Sequence, residues 1–164
     1  MEYQGSEKSY RCYYDSPIGL LLLQANDLSI KSITFVQEKN LNENKNVHLK
    51  KTIDQLNQYF SGERMVFDLP LRYEGTSFQN KVWEALRQIE YGKSCSYKEI
   101  AEKIKHPKAY RAVGSANNKN KLPIIIPCHR VIGTKGDLTG YAGGIWRKKW
   151  LIDHEKKVIE RKGI

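Results

Sequence analysis

The segment Leu122-Pro-Ile-Ile-Ile-Pro-Cys-His-Arg-Val-Ile-Gly133 holds the residues best suited to chemistry. Its apolar run is short, and Pro123 and Pro127 deny it a ladder on both sides, so the sequence predicts a buried extended segment. Pro127 also pushes Ile126 out of the helical region and fixes the backbone just before Cys128. A thiol on a stiff buried segment, with His129 beside it and Arg130 two positions on, has the ingredients of an activated nucleophile. An ordinary cysteine, with a pKa of about 8.5, is only a few per cent thiolate at neutral pH. A basic imidazole or a nearby cation lowers that value. Neighbours in an extended chain point to opposite faces, so adjacency alone does not pair Cys128 with His129. The plain alternatives are an inert core thiol and a core histidine satisfied by a carbonyl. Zinc is not indicated, because Cys12 and Cys95 lack companion ligands at finger spacing.

Composition limits what can surround this segment. The chain has 164 residues, 40% apolar and 28% charged, with three Trp, ten Tyr and four Phe. That is too apolar and aromatic for a disordered chain and enough for one domain or two small lobes. The longest apolar runs, 18–23 and 122–127, are far short of a spanning helix. The first dozen residues lack a secretory signal's basic segment and apolar stretch, and three scattered cysteines make no disulfide framework. A cytoplasmic, reduced protein with no membrane partner is expected. Charge is unevenly spread: residues 1–75 hold 9 basic and 10 acidic side chains, residues 76–164 hold 19 and 8. A near-neutral first part and a strongly basic second part fit a scaffold lobe and a polyanion-binding lobe.

The first part reads as strands over Tyr10–Tyr14, Gly19–Ala25 and Ser29–Val36, separated by turn signals at Ser16-Pro17 and Asn26-Asp27. A polar loop over 37–46 precedes a helix over Val47–Phe60, and a further strand is expected over Met65–Leu69. In the second part Thr76 or Ser77 caps a helix through Ile89, with Phe78, Val82, Leu86 and Ile89 on one face. Ser96 and Glu99 form a capping box for a short helix burying Ile100, Ala101 and Ile104. After His106-Pro107, a second short helix over Ala109–Asn117 turns Ala112, Val113 and Ala116 inward. Two short helices and a tight turn, about 97–118, outline a helix-turn-helix. Lys103, Lys105, Lys108, Arg111 and Lys119 give it a display suited to phosphates.

Pro127-Cys-His-Arg-Val131 resembles the active-site motif of the O6-alkylguanine-DNA alkyltransferases, or methylated-DNA–protein-cysteine methyltransferases. The likeness runs from about Arg11 to Val158. It takes in Gly75-Thr-Ser-Phe-Gln-Asn-Lys-Val-Trp83, Tyr91-Gly92, Ser96-Tyr97, Arg111-Ala-Val-Gly114, Gly140-Tyr-Ala-Gly-Gly144 and Trp150-Leu-Ile-Asp-His-Glu155. The resemblance implies an α/β first lobe, a ribonuclease-H-like antiparallel sheet plus helix, and a mostly helical second lobe bearing the helix-turn-helix. It implies a single-turnover protein that binds double-stranded DNA through the minor groove, rotates the damaged guanine out of the stack and accepts its alkyl group on Cys128 without a cofactor. No zinc-ligand set is visible in the first part, so the structural metal of some members is not expected here. It also implies activity on O4-alkylthymine, more weakly, and a monomer, with side-by-side assembly on DNA left open.

Residue by residue, His129 matches the base acting through a water, Glu155 its orienter, and Asn120 the asparagine bridging the second helix to the active-site segment. Tyr97 matches the tyrosine that crowds the 3′ phosphate and protonates the leaving guanine, and Arg111 the intercalating arginine. Ala109, Ala112 and Ser115 fall on the DNA-facing side of the second helix. Val131, Tyr141, Ala142 and Gly143 match the guanine-reading wall. Lys121 stands where the family usually has proline, and Ala142 replaces a serine found in some members. Rival readings are a lesion sensor, which would lack the acceptor cysteine, a plain helix-turn-helix regulator, and a thiol hydrolase, which would turn over.

Overall fold

The structure, a computed structural model, describes residues 8–164, and they divide into two units, one ending at Tyr73 and the other starting at Glu74. In the first, alternating aliphatic residues form a three-stranded antiparallel meander: β1 (Tyr10–Ser16), β2 (Gly19–Ala25) and β3 (Ile30–Phe35). Pro17 and Ile18 connect β1 to β2, pairing Ser16 with Gly19. Leu21, Leu23 and Ala25 alternate inward along β2, as period two demands on a half-buried sheet. Helix α1 (Val47–Phe60) packs on β1 and β2 through Leu49, Leu56 and Tyr59. Its first turn is capped by Asn46, whose side chain accepts the Leu49 N–H at 3.0 Å.

The strand expected over Met65–Leu69 does not form. The strap is tied instead by Gln55 of α1, which donates to Asp68 O and accepts from Asp68 N, each at 2.9 Å. From Pro70 onward it joins the sheet, where Pro70 O accepts the Ile30 N–H at 2.8 Å and Leu71 makes a single parallel bridge to Ile30. One side-chain amide has taken the place of a neighbouring strand.

The second unit begins with α2 (Ser77–Arg87), closed by a Thr76–Gln79 capping box and burying Val82, Trp83, Ala85 and Leu86. It ends two residues before the expected Ile89. Trp83 donates its indole N–H to Ala116 O at 2.9 Å, fastening α2 to a later helix. Helix α3 (Tyr97–Lys103) starts from the Ser96–Glu99 capping box, and α4 (Tyr110–Asn118) follows after a tight turn. In that turn Lys105 is left-handed (φ 63°), and the His106 N–H reaches back to Ala101 O at 2.9 Å. Ile100, Ala101, Val113 and Ala116 are buried. Two expectations fail here: Ala112 faces solvent and Ile104 is only half-buried. The reason is geometric, since Val113, Ala116 and Asn117 already fill the inward stripe of so short a helix.

Two short elements complete the frame. Strand β4 (Cys95–Ser96) pairs in parallel with β5 (Val131–Ile132), so the residue before Tyr97 is registered against the chain just after Arg130. The unit ends with α5 (Ile145–Lys162), stopped by left-handed Gly163. No helix among the described residues is long and apolar enough to cross a membrane.

Candidate active site

The segment after α4 is buried but not extended, contrary to the expectation. Asn120 spans it: Oδ1 accepts from Leu122 N at 2.9 Å and Nδ2 donates to Ile126 O at 2.8 Å. Between them Ile124 sits at φ 76°, a region that β-branched residues avoid unless their surroundings enforce it. The chain then closes into a 3-10 turn over Cys128–Arg130, with Cys128 N bonded to Ile126 O at 2.7 Å and Arg130 N to Pro127 O at 3.0 Å. Asn117 of α4 donates to Cys128 O at 3.3 Å. A buried segment that prolines exclude from a sheet must still satisfy its polar backbone, and turns and two asparagines do so.

That tight turn brings together residues far apart in sequence. His129 Nε2 lies 2.6 Å from Glu155 Oε2, with both side chains buried. Arg130 approaches the same carboxylate from Nε to Oε1 at 2.9 Å and from Nη2 to Oε2 at 3.1 Å, and also donates from Nη1 to Ile89 O at 2.7 Å. The Gly92 N–H adds a bond to Oε1 at 3.0 Å. Burial pushes the Glu155 carboxyl up, but His129 and Arg130 outweigh it and hold it well below the usual carboxylate range. Burial pushes the His129 imidazole down, toward the neutral form. With Nε2 facing a carboxylate, that neutral ring carries its proton on Nε2. Its Nδ1 is buried without a hydrogen-bond partner, so a free lone pair is available there.

Cys128 is buried, and burial raises its thiol to about 11, opposed by a hydrogen bond from Asn120 and by the charge of Lys148. Arg130 spends its charge on Glu155, so the cation that acts on the thiol is Lys148, which the sequence reading missed. Lys148 is fully buried on α5, donating to Thr139 O at 2.8 Å and to the Tyr97 hydroxyl at 3.4 Å. Desolvation lowers it to about 8. No sequence signal marked it, because α5 is only weakly amphipathic and carries several other lysines. Tyr97, from the first turn of α3, donates to Thr139 O at 3.0 Å. Burial raises both the Tyr97 and Tyr141 hydroxyls, and a charge on Cys128 would raise them further. Val131 is buried in β5, and the exposed Ala142 follows Tyr141 in a turn closed by Gly144 N to Tyr141 O at 2.8 Å. Gly143, buried in that turn, receives Arg147 Nη1 on its carbonyl at 2.6 Å.

On the outer side of α4, Ala109 is half-exposed and Arg111, Ala112 and Ser115 are exposed. Ala109, Ala112 and Ser115 recur every three residues and leave a low stripe with Arg111 beside it. Lys103, Lys105, Lys108 and Lys119 are all exposed around it. Gly114 of α4 lies over Tyr97, whose ring would be in ordinary contact, 3.8 Å, with a Cβ there. Among the described residues no group of three or more His, Cys, Asp or Glu is placed to hold a metal ion.

A small helical unit with a helix-turn-helix and a buried thiol backed by a histidine–glutamate–arginine network defines a class: cysteine-nucleophile proteins built on a nucleic-acid-binding scaffold. Comparison with known proteins narrows it. Residues 77–157 match the family described as 6-O-methylguanine DNA methyltransferase, DNA binding domain, and residues 9–73 match its ribonuclease-like domain. The methylated-DNA–protein-cysteine methyltransferase of Methanosarcina barkeri is 49% identical over 88% of this chain and 97% of its own. The crystal structure of the Mycobacterium tuberculosis O6-methylguanine methyltransferase superposes with a TM-score of 0.84 at 42% identity, covering 92% of this chain and 94% of that one. The Mycobacterium tuberculosis protein has also been solved in complex with DNA, matching at a TM-score of 0.81 and 46% identity over 89% of this chain and 92% of that one. The chain belongs to the methylated-DNA–protein-cysteine methyltransferase family.

Proposed function

We propose that this chain repairs DNA by direct reversal, moving the alkyl group of O6-alkylguanine, and more weakly of O4-alkylthymine, onto Sγ of Cys128. The S–C bond forms as the C–O6 bond breaks, and the electron pair leaves with the guanine. His129 Nδ1 takes the thiol proton through a water, while Glu155 fixes the ring's tautomer and stabilises the imidazolium. Asn120 and Lys148 favour the thiolate. Tyr97 supplies a proton to the leaving guanine, whose expulsion as an anion is unfavourable. The thioether has no easy hydrolysis, so each molecule acts once.

Double-stranded DNA carrying the lesion is the substrate. The α4 stripe of Ala109, Ala112 and Ser115 enters the minor groove, Arg111 fills the space of the extruded base, and Val131, Tyr141, Ala142 and Gly143 read the guanine. The protein works in the cytoplasm as a monomer, with residues 1–75 as scaffold and 76–164 as the acceptor lobe. One observation carries the reading: beside the buried Cys128 in sequence stands a neutral His129 held by Glu155 with its Nδ1 lone pair free, while the charge of Lys148, which is bonded to Tyr97, acts on the thiol.

The test is intact-protein mass spectrometry after incubation with an O6-methylguanine duplex. One methyl per molecule on the Cys128 peptide, absent in Cys128→Ser, is expected. An unmodified protein that still shifts the damaged duplex would leave a lesion sensor as the better description.

A further inference from the structure

One large aromatic of the second unit stands in water where the reaction above makes no use of it. Ile145 and Trp146 open α5 and are 54% and 55% exposed. Single exposed apolar residues are common and need no explanation. Trp146, however, is held. The Arg147 guanidinium lies 4.6 Å from its ring centroid, and Arg147 is itself fixed by its bond to Gly143 O. Indole atoms Cδ1 and Nε1 cover Gly144, where a Cβ would meet them at 3.6 and 3.7 Å. Indole and guanidinium thus form a stacked plate built onto the turn 141–144, with more than half of the indole's residue surface left to solvent.

Such a plate suits an unstacked nucleobase. Bases stack on aromatic side chains whatever their identity, and a guanidinium adds cation–π attraction and complements phosphate charge. We propose that Trp146, backed by Arg147, is a platform on which a nucleobase neighbouring the extruded guanine rests. The contact is distinct from the phosphate display of α3 and α4, and it rests on the reading of 141–144 as the guanine-reading turn. The occupant is a base of the bound strand, so binding here depends on bases and not on charge alone.

The experiment uses the full chain and its variants Trp146→Ala and Trp146→Phe. The probes are an O6-methylguanine duplex, a single-stranded oligonucleotide of the same length, and the same strand with abasic sites. Trp146→Ala is expected to weaken binding of both base-bearing probes roughly tenfold, in line with the loss of one stacked base. Trp146→Phe should keep most of the affinity, and affinity for the abasic strand should not change with either variant. The transfer rate at saturating duplex should stay within about twofold of wild type. Unchanged affinity in Trp146→Ala overturns the proposal, as does an equal loss on the abasic strand. A large fall in saturating rate also overturns it, because Trp146 would then only prop the turn. Lost self-association in sedimentation with DNA affinity intact would reassign the plate to contact between copies. If wild type transfers no methyl yet Trp146→Ala still loses base-dependent affinity, the platform stands and the reaction assigned above fails.

Discussion

The two units bury polar side chains in different ways. In the first, the buried polar residues are Asn26, Ser29, Thr52 and Gln55, none of them charged among the described residues. Three of them serve the backbone directly: Asn26 Oδ1 accepts from Leu28 N and Ser29 N, Thr52 donates to His48 O, and Gln55 ties down Asp68, while the Ser29 hydroxyl donates to Asn26 Oδ1 and so supports the same turn. In the second, the buried set is Asn117, Asn120, His129, Arg130, Lys148 and Glu155, four of them ionisable. Burying ionisable groups is unfavourable unless they are paired, and a well-packed apolar replacement is often at least as stable. The first unit uses polarity to hold its shape. The second holds charge in its interior at the cost of stability, which is what a reaction centre requires.

The sharpest way to break this contrast is Glu155→Gln. It removes the countercharge of Arg130 and the partner of His129, and breaking a buried pair costs about 3–5 kcal/mol. Thermal unfolding should show a Tm lower by roughly 10 °C or more. The transfer rate should fall about a hundredfold or more, the size of a lost acid–base contribution. Because the folded-state pKa of Glu155 is depressed, its stabilisation is present above the unfolded carboxyl value of about 4.3 and is lost as pH falls below it. The stability gap between wild type and variant should therefore narrow in acid. In the first unit Gln55→Ala should cost only about 1–2 kcal/mol and leave the transfer rate unchanged. A rate loss there would contradict the division of labour.

Lys148→Met tests the other side of the contrast. Lys148 is held near 8 by desolvation, below its ordinary value, so the folded state disfavours its charged form. Removing it should stabilise the protein by about 2 kcal/mol at neutral pH. Between pH 8 and about 10.5 the unfolded chain binds more protons at this site, so wild-type stability rises and the gain from methionine shrinks. Chemical denaturation across that range reads the effect. The transfer rate should move the opposite way, falling about tenfold as the thiolate loses its cation. A variant both more stable and equally fast would show Lys148 to be packing alone.

What the sequence made legible follows the range of the forces involved. The meander, α1 and the capped starts of α2 and α3 rest on local signals: alternation, periodicity, a Thr76 or Ser77 cap and the Ser96–Glu99 box, although the Gln79 half of the α2 box was seen only in the structure. The Met65–Leu69 strap was misjudged because its partner is one side chain, Gln55, on another element. The segment before Cys128 was misjudged for the same reason: its hydrogen bonds go to Asn120 and Asn117 and into turns, which no pattern of apolar residues encodes. Lys148 escaped notice because α5 is only weakly amphipathic and rich in lysine, so one buried cation looked like its exposed neighbours. The family likeness pointed to Glu155 and Asn120, which spacing alone could not join to Cys128. The double grip of Arg130 on Glu155 emerged only from the fold.

The smallest effect concerns two helix caps, where the units should again differ. Asn46 caps α1 and also donates to Asn26 O at 2.9 Å, while Ser96 caps α3 by accepting the Glu99 N–H at 3.1 Å. Asn46→Ala and Ser96→Ala should each cost about 1 kcal/mol, the usual value for a lost cap. Only the second should reach the chemistry. Tyr97 is the first residue of α3, and Ser96 is also paired with Ile132, just past the Cys128 turn. Fraying there displaces the Tyr97 hydroxyl from Thr139 O and Lys148, so the transfer rate should drop several-fold while DNA affinity holds. Ser96→Asp restores a capping acceptor and should recover most of the rate. If Asn46→Ala slows transfer as much as Ser96→Ala does, lost stability explains both, and the cap has no part in placing the proton donor.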